Sequence, residues 1–204
     1  MANAIAPTPE LPGRLLMWID GVGGFLICLK PRLTLGQAGP EAAPDLAILA
    51  AVARHHATIQ RDAEGYVLEA VRATALNGQS TNRAFLRSGD RLTLGAACQL
   101  LFSQPVPISA SARLDLVSGQ RWQHPVNAVL LMAETLVIGP GPQAHVVVEE
   151  LKQPLILFRP KNGLAIRCGG NLVISGRPHK ERGPLPPGAQ VTADGVSFAL
   201  EDAG

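Results

Sequence analysis

Apolar and polar positions alternate through much of the chain. In GYVLEAVRA, Tyr66 and Leu68 alternate with Val67 and Glu69. In GLAIRCGGNLVISG, Leu164, Ile166 and Cys168 share one face, and Leu172 and Ile174 resume the pattern after a Gly-Gly-Asn turn. Val196, Phe198 and Leu200 do the same in VSFALE. A period of two marks a strand with one face in a core. Such runs, about ten residues apart with turn residues between them, predict an all-β chain built as a sandwich or barrel. One segment resists. DLAILAAVARHHATIQ is rich in Ala and Leu, and propensity alone makes it a helix beginning at Asp45. The first twelve residues carry three Pro and no pattern, which predicts a flexible tail.

The pattern also repeats. Arg14-Leu15 returns as Arg113-Leu114 at an offset of 99, and Gly21 returns as Gly119 at 98. Gly65-Tyr66 matches Gly163-Leu164 and Asn77-Gly78 matches Ser175-Gly176, both at 98. Leu86–Gly89 matches Leu185–Gly188 at 99, while Leu33–Gly36 matches Leu136–Gly139 at 103. The second copy thus holds five extra residues before Gly139 and about four fewer after it. Two β domains of ordinary size are expected, over residues 13–104 and 112–202. Their seam, SQPVPISASAR at 103–113, is rich in Pro and Ser.

Composition narrows the function. A net charge of +2 is too mild for affinity built on neutralising many phosphates, so no nucleic-acid partner is expected. Cys28, Cys98 and Cys168 are odd in number and widely spaced, which argues against a disulfide framework or a zinc site. The opening MANAIAPTPELPGR lacks the basic and apolar runs of a secretion signal. No apolar run reaches the roughly 18 residues of a membrane span, so no membrane partner is expected. A reducing, cytoplasmic location follows as the expectation.

The first copy resembles the forkhead-associated (FHA) family. LTLG, DLAIL, VARHHATI, GYVL, LNG, LRSGDRLTLG and LLF occur in family order over residues 33–102. The resemblance implies two tandem FHA-like antiparallel β-sandwiches, and it replaces the helix at Asp45 with a strand–loop–strand. It also implies phosphothreonine-peptide recognition. The family's phosphate-gripping Arg, after the Gly of LTLG, corresponds to Gln37. The Ser of its Ser-x-x-His signature corresponds to Ala53, while His56 is kept and Arg54 lies between them. Asn77-Gly78 corresponds to the Asn-Gly whose Asn holds the peptide backbone, with Ser80 close behind. A neutral amide cannot form the bidentate charged pair that Arg makes. Charge-assisted hydrogen bonds contribute about 1.5–3 kcal/mol each, so the phosphate grip is weakened while the peptide rail is retained.

The second copy is degenerate. Pro140 stands where Gln37 stood, Lys152 matches Ala53, Leu155 replaces His56, and Ser175 replaces Asn77. Arg177, His179, Lys180 and Arg182 follow in GRPHKERG, and with Lys152 nearby they form a candidate anion patch. The plainer reading of that run is a solvated loop.

Simpler readings also stand beside the other motifs. His56 braces a loop, Gly36 and Gly78 serve the backbone, and Asn77-Gly78 marks a tight turn whether or not a peptide binds. His55 and His56 point to opposite faces of a strand and make a poor metal pair. Gly21-Val22-Gly23-Gly24 precedes a strand and reads as a hairpin turn, not a phosphate loop. The expectation is a non-catalytic interaction module without cofactor or metal, binding a phosphorylated or acidic protein or peptide. The alternative is a structural scaffold that self-associates as a homo-oligomer.

Overall fold

The computed structural model describes residues 11–40, 43–161 and 163–204, so most of the expected tail lies outside the described residues. Leu11, at that tail's end, packs against a core. Among the described residues every regular element is a strand. The early strands are β1 (Arg14–Ile19), β2 (Gly23–Cys28), β3 (Arg32–Gln37), β4 (Leu46–Leu49), β5 (Ala57–Arg61) and β6 (Tyr66–Ala70). Next come β7 (Thr74–Leu76), β8 (Gln79–Ser80), β9 (Arg83–Leu86), β10 (Arg91–Leu94) and β11 (Cys98–Ser103). They are followed by β12 (Ala112–Leu116), β13 (Arg121–Trp122), β14 (Ala128–Leu131), β15 (Thr135–Gly139), β16 (Val146–Val147) and β17 (Leu155–Phe158). The last are β18 (Ala165–Arg167), β19 (Leu172–Ile174), β20 (Arg177–His179), β21 (Arg182–Pro184), β22 (Gln190–Ala193) and β23 (Val196–Asp202). The Ala-rich segment is therefore β4, a loop and β5. Burial of Leu46, Ile48, Ala57 and Ile59 in one core outweighs its helical propensity.

A 12-stranded sheet runs through the molecule in the order β20-β19-β22-β23-β1-β2-β14-β12-β11-β10-β7-β8. A six-stranded sheet, β13-β4-β3-β5-β6-β9, packs on one half of it. A five-stranded sheet, β16-β15-β17-β18-β21, packs on the other half. Alternate side chains of the middle strands enter different cores. Met17, Phe25, Ile27 and Leu130 face the second core, while Leu16, Leu26, Val129 and Leu131 face the first. The two small sheets thus lie on opposite faces of the long one. Burial on both faces explains the unbroken apolar runs LLMWI, GFLIC and AVLL.

The order of the middle strands departs from the order of the sequence. β1 pairs with β23, and β12 pairs with β11. β2 and β14 meet in parallel, Phe25 opposite Ala128 through Cys28 opposite Leu131, each pair 103 residues apart. The expected bounds of 13–104 and 112–202 follow sequence order, but each core draws on both halves of the chain. Side chains cross likewise. Arg159 Nη1 donates to the Leu29 carbonyl at 3.0 Å, and the Tyr66 hydroxyl donates to the Leu131 carbonyl at 3.2 Å. The Pro/Ser-rich seam is pinned, with Ser109 and Ser111 both donating to the Thr135 carbonyl and Tyr66 to that of Ala110.

One difference breaks the correspondence. Asp20–Val22 turns tightly between β1 and β2, whereas residues 117–127 carry β13 across to pair with β4. Trp122 enters the first core there at 4% exposure.

Candidate functional site

At one end of the first sandwich, three loops meet: residues 37–40, 50–56 and 71–73. His56, 3% exposed, holds them together. Its Nδ1 accepts from the Ala53 amide at 3.2 Å, and its Nε2 lies 3.0 Å from the Ala73 carbonyl. The first contact requires a bare Nδ1, which makes Nε2–H the donor to Ala73. The His56 carbonyl accepts from the Val71 and Arg72 amides, and its own amide donates to Leu35. Gly36 lets the second loop approach, since a Cβ there would collide with the Arg54 carbonyl. Asp45 fixes the start of β4 by accepting from the Thr34 amide and hydroxyl, both at 2.9 Å. Burial opposes its ionisation, but the Thr34 hydrogen bonds and Lys30 outweigh burial and hold its carboxyl below the usual value.

The side chains on this frame are Gln37, Arg54 and Arg72, all exposed. The Gln37 amide donates to the Ala53 carbonyl at 3.0 Å, which puts the two family positions side by side. Neither Arg54 nor Arg72 forms an ion pair among the described residues. Arg72 escaped the sequence reading because EAVRAT carries no motif. What places it is its position two residues before β7, with its amide on the His56 carbonyl.

Asn77 does not join this cluster. Asn77-Gly78 forms the β7–β8 turn with φ of 52° and 82°, beside Arg91 at the far end of β10. Asn77 Nδ2 donates to Asp90 Oδ1 at 2.8 Å, and its Oδ1 accepts from the Arg91 amide at 2.9 Å. Both ends of the amide are engaged in bracing the turn. Ser80 is exposed on β8, opposite Ala75. Arg54, Asn77 and Ser80 are all open to solvent, but they do not share one loop face.

At the corresponding end of the second sandwich there is a cleft of about 540 Å³ lined by Glu150, Lys152, Gln153, Asn171 and Asp194. Gly169-Gly170-Asn171 wraps the Asp194 carboxylate, whose Oδ1 accepts from the Asn171 amide at 3.2 Å. Leu155 pairs with Ile138 as Ala57 pairs with Leu35, so Pro154, not Leu155, takes the place of His56. The expected anion patch is divided. Arg177 pairs with Ile174 beside the Ser175-Gly176 turn, away from the cleft. His179 lies half-buried opposite Leu172, Lys180 follows it exposed, and Arg182 faces Arg167 across β21 and β18.

Comparison with known proteins finds a match over part of the chain. The family model of the FHA domain matches residues 34–95. The FHA match begins in β3, spans the His56 loops and ends just after β10. Among solved structures, the FHA-2 domain of a Mycobacterium tuberculosis ABC transporter, determined by NMR, is similar at 22% identity. It covers 51% of this chain and 81% of its own, with a TM-score of 0.29. No curated protein matches the chain.

Proposed function

We propose that the chain is a non-catalytic protein-interaction module whose FHA segment reads a peptide at the His56 loop cluster. The observation that carries this reading is the pair of exposed guanidinium groups, Arg54 and Arg72, neither in an ion pair among the described residues, on loops locked by one buried histidine. Arg fits carboxylate and phosphate bidentately. The two arginines replace the weakened grip at Gln37 and Ala53 with charge from neighbouring positions. The partner is a phosphorylated or acidic protein segment, bound without cofactor. The rest of the proposal is a second, degenerate FHA-like unit in tandem and a cytoplasmic location. The latter is supported by three free, buried thiols, two of which, Cys28 and Cys98, burial pushes up to about 12 and 11.

The test is a phosphothreonine peptide library against its unphosphorylated twin. Binding is expected, with a preference for phosphate below about a hundredfold, near 2.7 kcal/mol. Arg54→Ala with Arg72→Ala should remove it. Binding untouched by that double variant overturns the assignment. The scaffold reading, in which the units serve self-association, is favoured by the shared middle strands. It predicts no peptide binding and a concentration-dependent mass.

A further inference from the structure

The strand registers place the outer faces of the two small sheets in correspondence. In the six-stranded sheet one row across the strands reads Thr34, Thr58, Glu69, Arg83, and the next reads Arg32, Gln60, Val67, Phe85. The central acid has an arginine partner on each side there. Glu69 lies 3.4 Å from Arg32 and 3.9 Å from Arg83, and Arg32 donates to Gln60 at 2.8 Å. In the five-stranded sheet the same rows read Val137, Ile156, Arg167, Arg182 and Thr135, Phe158, Ala165, Pro184. Polar positions have become apolar, and the central acid has become Arg167. Arg167 and Arg182 stand directly opposite each other, both exposed, with no ion pair among the described residues. Like charges opposed across strands repel, and an isolated sheet gains nothing from the arrangement. Beside them Phe158, Ala165 and Pro184 line a depression of about 330 Å³.

We infer that this outer face is a docking surface for an acidic, apolar segment of a protein partner. Charge complementarity names the occupant. An anion between Arg167 and Arg182 relieves their repulsion, and an apolar side chain two residues along an extended segment lands on the Phe158 row. The spacing fits because the two rows lie two residues apart along each strand, roughly 6.8 Å. The recognised pattern is therefore an Asp or Glu followed at the second position by an aromatic or aliphatic residue. This surface stands independently of the loop site in the first unit.

The probe is a fluorescein-labelled peptide, Ser-Asp-Ser-Phe-Ser-Asp-Ser-Phe, titrated with the full chain. Binding is expected to fall about tenfold when Lys replaces Asp in the peptide or in Arg167→Glu, and severalfold as salt rises from about 50 to 300 mM. Arg167→Glu recreates the Arg83–Glu69 arrangement and so should melt at or above the parent. If it nonetheless unfolds, Arg182→Gln serves as the second variant, with the same loss of binding expected. The double variant Arg167→Glu, Arg182→Glu should bind the Lys-containing peptide in preference to the Asp one. Equal binding of the Asp peptide by parent and single variants overturns the proposal. So does association with phosphatidylserine vesicles in place of the peptide, which would make the face a lipid contact.

Discussion

Compare the loop ends of the two units. In the first, a buried imidazole ties three loops together, and Arg54 and Arg72 stand exposed on the result. In the second, Pro154 replaces that imidazole and the loops close around Asp194 instead, leaving a cleft with Glu150 and Lys152 on its wall. Apart from β13, the strands beneath follow one order in both units. Burial constrains a strand residue by residue, whereas an exposed loop is constrained only by what it binds. The scaffold therefore survives substitutions that rebuild its loop ends. The middle strands are the exception, because each serves both cores at once.

The largest effect should come from those strands. Phe25 is 2% exposed in the second core, and Phe25→Ala should cost about 3–5 kcal/mol. Trp18 lies on β1 and donates to Glu201 of β23, whereas Trp122 is buried in the first core, so Trp122 fluorescence in a Trp18→Phe background reports the other unit. If the two units unfold as one, urea unfolding followed by tryptophan shifts fully with this substitution. Independent units would leave the tryptophan midpoint in place.

A smaller loss is expected at the loop frame. His56→Ala leaves the Ala53 amide and the Ala73 carbonyl unpaired, at a cost of about 2–3 kcal/mol. Hydrogen exchange should speed up at residues 50–56 and 71–73 and stay unchanged in the second unit's loops.

Asp45→Asn tests the start of β4 and should cost about 1–2 kcal/mol at neutral pH. Its folded pKa is depressed, so the ionised form stabilises the fold above the ordinary carboxylate value. That contribution is lost as pH falls through the folded value. The parent and variant should accordingly converge in acid, and a difference that persists below pH ~2 would contradict the assignment.

The smallest effect is expected on the outer face. Glu69→Arg gives the six-stranded sheet the charge pattern of the five-stranded one. It should cost about 0.5–1 kcal/mol at low salt and less as salt is added.

Much of this was legible in the sequence, and the reasons differ from part to part. Period-two burial gave the faces of Tyr66, Leu164 and Val196, and the ordered motifs turned Asp45 from a helix start into a strand start. His56 stood in a signature and was found with it. At Asn77 the Asn-Gly pair is a turn signal before it is anything else, and the turn uses both ends of its amide. Arg72 carried no motif, and only the fold brings its amide onto the His56 carbonyl. The crossing of β1 and β12 was hidden for another reason. Hydrophobic periodicity says that a strand is buried but not which strand lies beside it. The two-sided apolar runs were the available signal, since a strand covered on one face would alternate. Arg167 was within reach of the repeat offset, because 69 and 167 differ by 98 as Tyr66 and Leu164 do.

The most direct test of the central claim is a map of peptide contacts by NMR. Titrating the labelled chain with a bound phosphothreonine peptide should move backbone amide signals at residues 37–40, 50–56 and 71–73, together with the Arg54 and Arg72 side-chain signals. Signals at Asn77-Gly78 and Ser80 should stay still. Shifts centred on residues 77–80, or confined to the second unit, would contradict the assignment of the His56 loops as the reading site.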